Sequence, residues 1–316
     1  MSVGTVRPRH RDWAHALRSL RFREAILGVL FALPWLIRLF AMHLYPILTA
    51  FRYSLTQYSI IGAPKWIGLD NYVKLFTRDR LPMQALYNSA YYSLGAVPLG
   101  LVTALFLALL LNQKIRGLSV YRAIFFIPAV VPGVASSVLW LWLLNPRVGL
   151  INYLLTSVGL PRVPWTTSAL WIKPAFILMS LWGVGYSTVI FVAGLQDIPR
   201  HLYEAAEIDG AGLWQRFRNV TIPMLTPTIF FNLVMGIIGS LQIFGPAYII
   251  LAGPQGGPQN AALFYVLYLF QQAFSFLNMG YASALAIVLF LVILVLTLLV
   301  FRSSSLWVYY ETEVRK

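Results

Sequence analysis

The stretch from Met279 to Phe301 reads MGYASALAIVLFLVILVLTLLVF, and none of its twenty-three residues carries a charge. At about 1.5 Å per residue, a helix of this length crosses the roughly 30 Å hydrocarbon core of a bilayer. The uncharged region extends far upstream, because no Lys, Arg, Asp or Glu occurs between Asn219 and Phe301. The stretch therefore predicts a transmembrane helix, in a chain that lies mainly within the bilayer.

The composition of the whole chain supports a membrane protein. Of its 316 residues, 59% are hydrophobic and 11% are charged, against about 45–50% and about 25% in soluble domains. Cysteine is absent, which excludes disulfide scaffolds and thiolate metal sites. The net charge of +14 is spread over short stretches between apolar runs. A nucleic-acid binder would concentrate its basic residues on one face. The distribution found here instead indicates residues that set the orientation of spans in a membrane.

Six segments are long and apolar enough to cross the membrane. The predicted fold class is therefore all-α, a polytopic membrane protein with six transmembrane helices. A shorter apolar stretch, 261–274, is interpreted as an interfacial or partly re-entrant helix. Several spans contain Pro, so kinked helices are expected. The six predicted spans are 25–51, 87–111, 123–144, 174–195, 224–251 and 279–301.

Lys and Arg in the alternating loops predict the orientation. Fifteen lie in the N-terminal segment, the second and fourth loops and the C-terminal tail, and eight lie in the other segments. By the positive-inside rule, both termini and the loop between the fourth and fifth spans are expected in the cytoplasm. The predicted location is the cell (inner) membrane. The expected parts are a basic cytoplasmic segment 1–24, a permease domain 25–301 and a cytoplasmic tail 302–316.

Two features near the N-terminus leave alternatives open. The apolar stretch that follows the basic segment is too long for a signal peptide, so it is expected to be a retained span. Trp13, Leu17 and Leu20 share helical spacing, which fits either an amphipathic helix on the inner leaflet or a disordered basic tail. Arg38 in the first span either snorkels to the surface or faces a polar cavity.

The loop 196–223 is the longest predicted cytoplasmic connection between spans. It uses almost thirty residues where a turn needs about 2–8. Pro199 suits a helix start, Gly210 and Gly212 a corner, and Pro223 the return to the membrane. Two short helices meeting at a glycine corner favour a docking element over a passive turn.

A sequence motif in this loop resembles that of a known family. Glu204-Ala205-Ala206 is separated from Gly210 by three residues. Nine further residues separate Gly210 from Val220-Thr221-Ile222-Pro223. The pattern resembles the EAA loop of binding-protein-dependent ABC importer permeases, with Val and Ile in place of its usual Ile and Leu. Further similarity to the maltose- and glycerol-phosphate-type carbohydrate branch lies in 195–199, 209–211, 126–128, 140–152, 256–258 and 280–284.

The resemblance implies a fold and a set of partners. The fold would be that of a type I ABC importer permease. The partners would be a second homologous permease subunit, two ATP-binding subunits, an extracytoplasmic solute-binding protein and a sugar-like solute. The loop's first helix would couple to the ATPase, with Glu204 as an acidic contact and Gly210 as the corner. The implied coupling residues are Glu204, Ala205, Ala206, Glu207, Asp209, Gly210 and Pro223.

No catalytic or nucleotide-binding motif stands in a credible context. The sequence lacks a phosphate-binding G-x-x-x-x-G-K-[ST] loop, so ATP and Mg are expected on the partner ATPase, with no cofactor or metal on this chain. A non-enzymatic subunit is therefore expected. The alternative is an ion-coupled secondary transporter or a channel. Carriers of that class usually hold ionisable groups such as Asp, Glu, Lys, Arg or His within their spans, and the second to sixth predicted spans contain none of these residues.

The expected solute path uses uncharged polar and aromatic residues near the middle of the fourth and fifth spans. The glycines there either pack helices or leave room for a ligand. The absence of charge favours a neutral solute such as a sugar. Segments 55–86, 145–173 and 253–260 are expected to face the solute-binding protein. The candidate path residues are Trp182, Gly183, Tyr186, Asn232, Ser240 and Gln242.

Overall fold

A computed structural model describes residues 13–113 and 116–309 of the chain, with side chains from residue 22 onward. The first span combines α1 (Trp13–Arg38), a π-helical segment (Leu39–Leu44) and α2 (Tyr45–Ser54). Its apolar part extends over Phe22–Ser54. Residues 13–24 are therefore helical, whereas residues 1–12 of the predicted basic segment lie outside the described part of the chain.

A small structure with two short strands connects the first two spans. Strands β1 (Thr56–Gln57) and β2 (Lys65–Trp66) pair antiparallel, with Thr56 opposite Trp66. Helix α3 (Asp70–Val73) and a π-helical segment (Lys74–Arg78) lead into α4 (Leu81–Leu111), the second span. A Cβ atom at Gly280 would lie 2.0 Å from the Thr56 carbonyl oxygen, so only glycine allows the last span to approach β1 this closely.

The third and fourth spans are broken rather than continuous, which corrects the predicted segments 123–144 and 174–195. Helices α5 (Leu118–Val130) and α6 (Gly133–Leu143) meet at 96°. Pro132 explains the break, because it lacks an N–H and forces Val131 into an extended conformation. After α7 (Leu150–Ser157), helices α8 (Ile172–Trp182) and α9 (Gly185–Gln196) meet at 48°.

The loop 196–223 continues directly into the fifth span. It comprises α10 (Arg200–Ile208), α11 (Leu213–Arg216) and a π-helical segment (Phe217–Thr221). These join α12 (Ile222–Leu241), which is followed by α13 (Gly245–Ile250). Pro223, which is expected at the return to the membrane, lies at the start of α12, directly after the π-helical segment. The second arm of the loop and the span form one helical run.

The short apolar stretch near residue 265 is buried inside the protein. A 3₁₀ turn (Pro258–Asn260) precedes α14 (Tyr265–Phe270) and a π-helical segment (Gln271–Ser275). Phe264, Tyr265 and Leu267 are fully buried, which excludes a surface-lying interfacial helix and fits the re-entrant alternative. The last span, α15 (Met279–Trp307), extends six residues past the predicted end at Phe301.

Hydrogen bonds link α14 and the loop before it to the start of α4 and to α15. The Asp79 carboxylate accepts bonds from the hydroxyls of Tyr268, at 2.5 Å, and Tyr281, at 2.9 Å. The Asn88 amide donates to the Asn260 and Leu263 carbonyls at 2.8 and 3.1 Å. These buried and part-buried polar contacts hold this end of the fold together around the larger of its two apolar clusters.

Among the described residues, four helices are long and apolar enough to cross a bilayer. Counting each bent pair as one span raises the number to six, in agreement with the predicted all-α fold. The helix breaks and the extended loop are the features that the site depends on.

Candidate coupling hook and central cavity

The region from Arg200 to Thr221, called the coupling hook below, is anchored to the spans by one side of α10. Leu202 and Tyr203 pack against a buried cluster formed by Phe191, Leu195, Ile198 and Leu225. The Tyr203 hydroxyl also bonds to Thr221 Oγ1 at 2.9 Å, linking α10 to the start of the fifth span. The opposite side of α10 is therefore free to face a partner.

The corner of the hook is a Schellman motif, which fixes its angle. Gly210 has φ of +74°, a conformation that costs other residues about 1–2 kcal/mol. Its N–H donates to the Glu207 carbonyl at 3.0 Å, and the Ala211 N–H donates to the Ala206 carbonyl at 2.9 Å. These two bonds are the pair that defines the motif. Gly210 thus has the corner role that its place in the sequence motif implies.

An internal ion pair joins the two arms of the hook. The Arg216 guanidinium on α11 pairs with the Glu207 carboxylate on α10. The Gly212 N–H donates to Gln215 Oε1 at 2.8 Å, which caps the start of α11. Glu207 thus has a structural contact within the chain. Glu204 is exposed and has no ion pair among the described residues.

The outward surface of the hook combines a carboxylate with large apolar side chains. Ile208, Leu213 and Trp214 are 87%, 80% and 70% exposed. Glu204 and Ala205 are exposed beside them, whereas Ala206 is half-buried. These apolar residues lie outside the predicted spans, and an exposed apolar patch bordered by polar groups is typical of a protein interface. The corner residues Asp209 and Gly210 are exposed as well.

A second candidate region is a cavity of about 570 Å³ between the second, fourth and fifth spans. Two helix breaks lie beside it, one in the fourth span and one between α12 and α13: Gly183 follows α8, and Gln242 follows α12. Irregular backbone at membrane depth is tolerated where it lines a cavity or is buried in protein. Its lining contains no charged residue. The polar side chains in the lining are Tyr92, Ser180, Ser187, Asn232, Ser240 and Gln242.

The polar side chains of the cavity differ in whether they already have a hydrogen-bond partner within the protein. Asn232 is buried and donates to the Thr228 carbonyl at 2.9 Å. Ser240 bonds to Ser93 Oγ at 2.6 Å. Gln242 is exposed to the cavity, and its amide has no hydrogen-bond partner among the described residues. The Gln242 amide is therefore the group most available to a polar ligand.

The glycines of the fifth span separate into two roles. A Cβ at Gly236 would lie 3.2 Å from Val97 Cγ1, whereas a Cβ at Gly239 would meet nothing within 4 Å. Gly236 therefore allows close packing of α12 on α4, and Gly239 opens onto the cavity. The sequence alone left both roles open for each glycine.

Four of the six predicted path residues line the cavity: Gly183, Asn232, Ser240 and Gln242. Trp182 and Tyr186 are not in this lining. Trp182 makes an edge contact with Trp140 at 6.1 Å, and Tyr186 makes one with Phe126 at 5.5 Å. Sequence reasoning missed Tyr92, which lies on the second span. The Gly-Pro pair at 245–246 was the signal for the second helix break, since interrupted spans often mark transport sites.

Comparison with known proteins places the chain in a family. Residues 96–305 match the model of the binding-protein-dependent transport system inner membrane component family. The probable ABC transporter permease protein YesP of Bacillus subtilis is 43% identical over 94% of this chain and 96% of its own length. The lactose transport system permease protein LacF of Rhizobium radiobacter is 36% identical over 90% and 96%.

A solved structure has the same fold. A chain of a bacterial ABC transporter involved in the import of the acidic polysaccharide alginate aligns with a TM-score of 0.78 and 26% identity. The alignment covers 92% of this chain and 98% of that chain. These matches confirm the family resemblance indicated by the loop motif. The chain belongs to the family of binding-protein-dependent transport system inner membrane components, the permease subunits of ABC importers.

Proposed function

We propose that this permease imports a sugar or a related neutral polar solute, driven by ATP that a separate subunit hydrolyses. The observation that carries the proposal is the coupling hook. Its corner and arms are fixed by internal bonds, while Glu204, Ile208, Leu213 and Trp214 face outward. A rigid element with an exposed apolar and acidic face is suited to transmit a movement from a bound partner.

The coupling would depend on shape more than on a single charge. An exposed ion pair from Glu204 contributes only about 0–1 kcal/mol. The apolar side chains of Ile208 and Trp214 would bury far more surface against the ATPase, at about 25 cal/mol per Å². Ala205 and Ala206 allow close approach of the α10 backbone. The anchoring contacts of Tyr203 would pass the displacement to the fifth span.

The cavity supports a neutral solute. A lining with hydroxyl and amide groups and no charge suits sugar hydroxyls, which both donate and accept hydrogen bonds. Relatives include a lactose permease and the trehalose/maltose permease MalF of Thermococcus litoralis. Another relative transports sn-glycerol-3-phosphate. A phosphorylated solute would need cations from the partner permease, since the lining residues of this cavity provide none.

The proposed assembly has four further subunits. A second homologous permease would complete the path, two ATP-binding subunits would hold ATP and Mg, and an extracytoplasmic solute-binding protein would deliver the solute. A solved relative was obtained in complex with an alginate-bound periplasmic protein. With both termini in the cytoplasm, the hook would face the ATPases, and the turn 253–260 would lie on the outer side.

Co-purification and transport measurements test this proposal together. The tagged chain is expressed with its chromosomal neighbours, purified and reconstituted in liposomes for solute uptake and ATP hydrolysis. We expect an ATPase and a second permease to co-purify, and uptake to require both ATP and the solute-binding protein. Uptake by a preparation without any ATPase, driven by an ion gradient, would contradict the proposal and favour the ion-coupled alternative.

A further inference from the structure

The segment between the third and fourth spans carries an apolar helix face that no described residue covers. Tyr153 and Leu154 on α7 are 69% and 55% exposed, and Leu150 beside them is also exposed. Val148 and Val158 extend the patch at either end of the helix. This surface is far more apolar than a water-facing loop requires.

The opposite face of α7 is fixed to the protein. Asn152 is buried and donates to the Pro146 and Val163 carbonyls at 3.1 and 2.9 Å. The side-chain oxygen Asn152 Oδ1 accepts from the Val163 N–H and from the Trp165 indole N–H at 3.0 and 3.1 Å. The four bonds of this one side chain fix the orientation of α7 relative to the loops on either side of it. The apolar face therefore points away from these loops.

The position of α7 between two spans fits a location at the membrane surface. It begins seven residues after the end of α6 at Leu143 and is separated from α8 by the loop to Trp171. Asn145 Oδ1 accepts from the Arg147 and Val148 N–H groups, at 2.9 and 3.2 Å, which makes the first connection a tight turn. Trp165 and Trp171 stack edge to face at 5.5 Å beside the start of α8, and Trp is enriched at membrane interfaces.

The charges around α7 have one sign. Arg147 and Arg162 flank the helix, are exposed and have no ion pair among the described residues. No Asp or Glu occurs between residues 145 and 173. An apolar face with flanking cations complements the phosphates and acyl chains of phospholipids.

We infer that α7 is an interfacial anchor whose Leu150, Tyr153 and Leu154 insert between lipid headgroups, while Arg147 and Arg162 bind lipid phosphates. The anchor would hold the outer end of the broken third span at a fixed depth. This assigns the exposed face of α7 to lipid, although the sequence alone assigned the whole segment 145–173 to the solute-binding protein. The inference does not depend on the identity of the solute.

Fluorescence quenching tests this inference directly. Because the chain lacks cysteine, Tyr153→Cys or Leu154→Cys introduces one labelling site in this subunit. The labelled transporter is reconstituted in nanodiscs of phosphatidylcholine and phosphatidylglycerol with lipids spin-labelled at the headgroup or along the acyl chain. The unsubstituted transporter gives the labelling background. We expect strong quenching at both positions, strongest near the headgroup and upper acyl chain.

Thr156→Cys is the matched control on the same helix. Thr156 is exposed and lies about 160° from Leu154 around α7, although only about 60° from Tyr153, so we expect clearly weaker quenching at position 156 than at position 154. Arg147→Gln with Arg162→Gln should reduce the preference for phosphatidylglycerol, by about fivefold for each Arg.

Three results would overturn the inference. One is equal quenching at residues 154 and 156, and another is an absence of lipid quenching at both 153 and 154. The third is shielding of position 153 by the solute-binding protein or by the second permease instead of by lipid, which would identify α7 as a protein interface.

Discussion

The coupling hook and the central cavity differ in how their geometry is determined. The hook is built from local contacts: the Schellman bonds at Gly210 and the Glu207–Arg216 pair join residues within ten positions of each other. The cavity depends on distant contacts, such as the bond between Ser93 and Ser240. A local structure can be recognised from its sequence, whereas a cavity between three spans requires the packing of the whole fold.

The two regions also differ in chemical character, which suits different tasks. The hook presents a carboxylate and apolar side chains on a fixed frame, as a protein interface does. The cavity presents uncharged hydrogen-bonding groups beside two helix breaks. We therefore expect changes in the hook to impair coupling to ATP, and changes in the cavity to impair solute handling while ATP hydrolysis continues.

Gly210→Pro should give the largest effect. Proline cannot adopt the φ of +74° found there and removes the N–H that donates to Glu207, at a local cost of about 3 kcal/mol or more. We expect ATP hydrolysis stimulated by the binding protein to fall about a hundredfold. The measurement is ATPase activity of the reconstituted transporter, with membrane insertion checked by fractionation.

Gly212→Ala is the control for this prediction. Gly212 has φ of −69°, which alanine adopts without strain, so near-normal activity is expected. Normal stimulated ATPase activity in Gly210→Pro would show that the hook geometry is not needed for coupling.

Glu204→Lys should have the next largest effect. A lysine would place a like charge against the basic group expected on the ATPase, and such contacts cost several kcal/mol. We expect stimulated ATP hydrolysis to fall about thirtyfold. In contrast, Glu207→Gln removes only the partly exposed pair with Arg216 and should cost no more than about fivefold. Equal losses in the two variants would remove the distinction between an outward contact and an internal one.

Gln242→Leu tests the cavity separately from the hook. The change keeps a similar volume but removes the free amide, so one solute hydrogen bond of about 1.5 kcal/mol is lost. We expect the KM for uptake to rise about tenfold, with ATPase stimulation by the binding protein retained. Measuring uptake and ATP hydrolysis on the same proteoliposomes checks this. A loss of ATP hydrolysis with an unchanged KM would place Gln242 in coupling.

Tyr203→Phe should give the smallest effect. It removes the hydroxyl bond to Thr221 and preserves the apolar packing of α10 against the spans. At about 0.5–1.5 kcal/mol for one hydrogen bond, we expect uptake to fall about threefold at unchanged solute affinity. Thr221→Val should reproduce the loss, and the double variant should add little, as a double-mutant cycle would show.

The sequence was sufficient for the class of fold and for the hook. An uncharged apolar run long enough to cross the bilayer as a helix predicts a transmembrane span. Gly210 after a helical stretch predicts the corner between the two arms of the hook. The break at Pro132 could not be placed, because proline is tolerated in many membrane helices. The burial of Tyr265 and the positions of Trp182 and Tyr186 also escaped sequence reasoning. They depend on helix rotation, which is set by packing against α4, α6 and α5.

Site-directed cross-linking at Ile208 tests the central claim most directly. The chain contains no cysteine, so Ile208→Cys gives one reactive position on the exposed face of the hook. Val148→Cys gives an exposed apolar control in the segment expected on the other side of the membrane. In the assembled transporter, we predict that position 208 cross-links to the ATP-binding subunit and that position 148 does not. Free access of a water-soluble maleimide to position 208 in an active, fully assembled transporter, without any cross-link, would contradict the account.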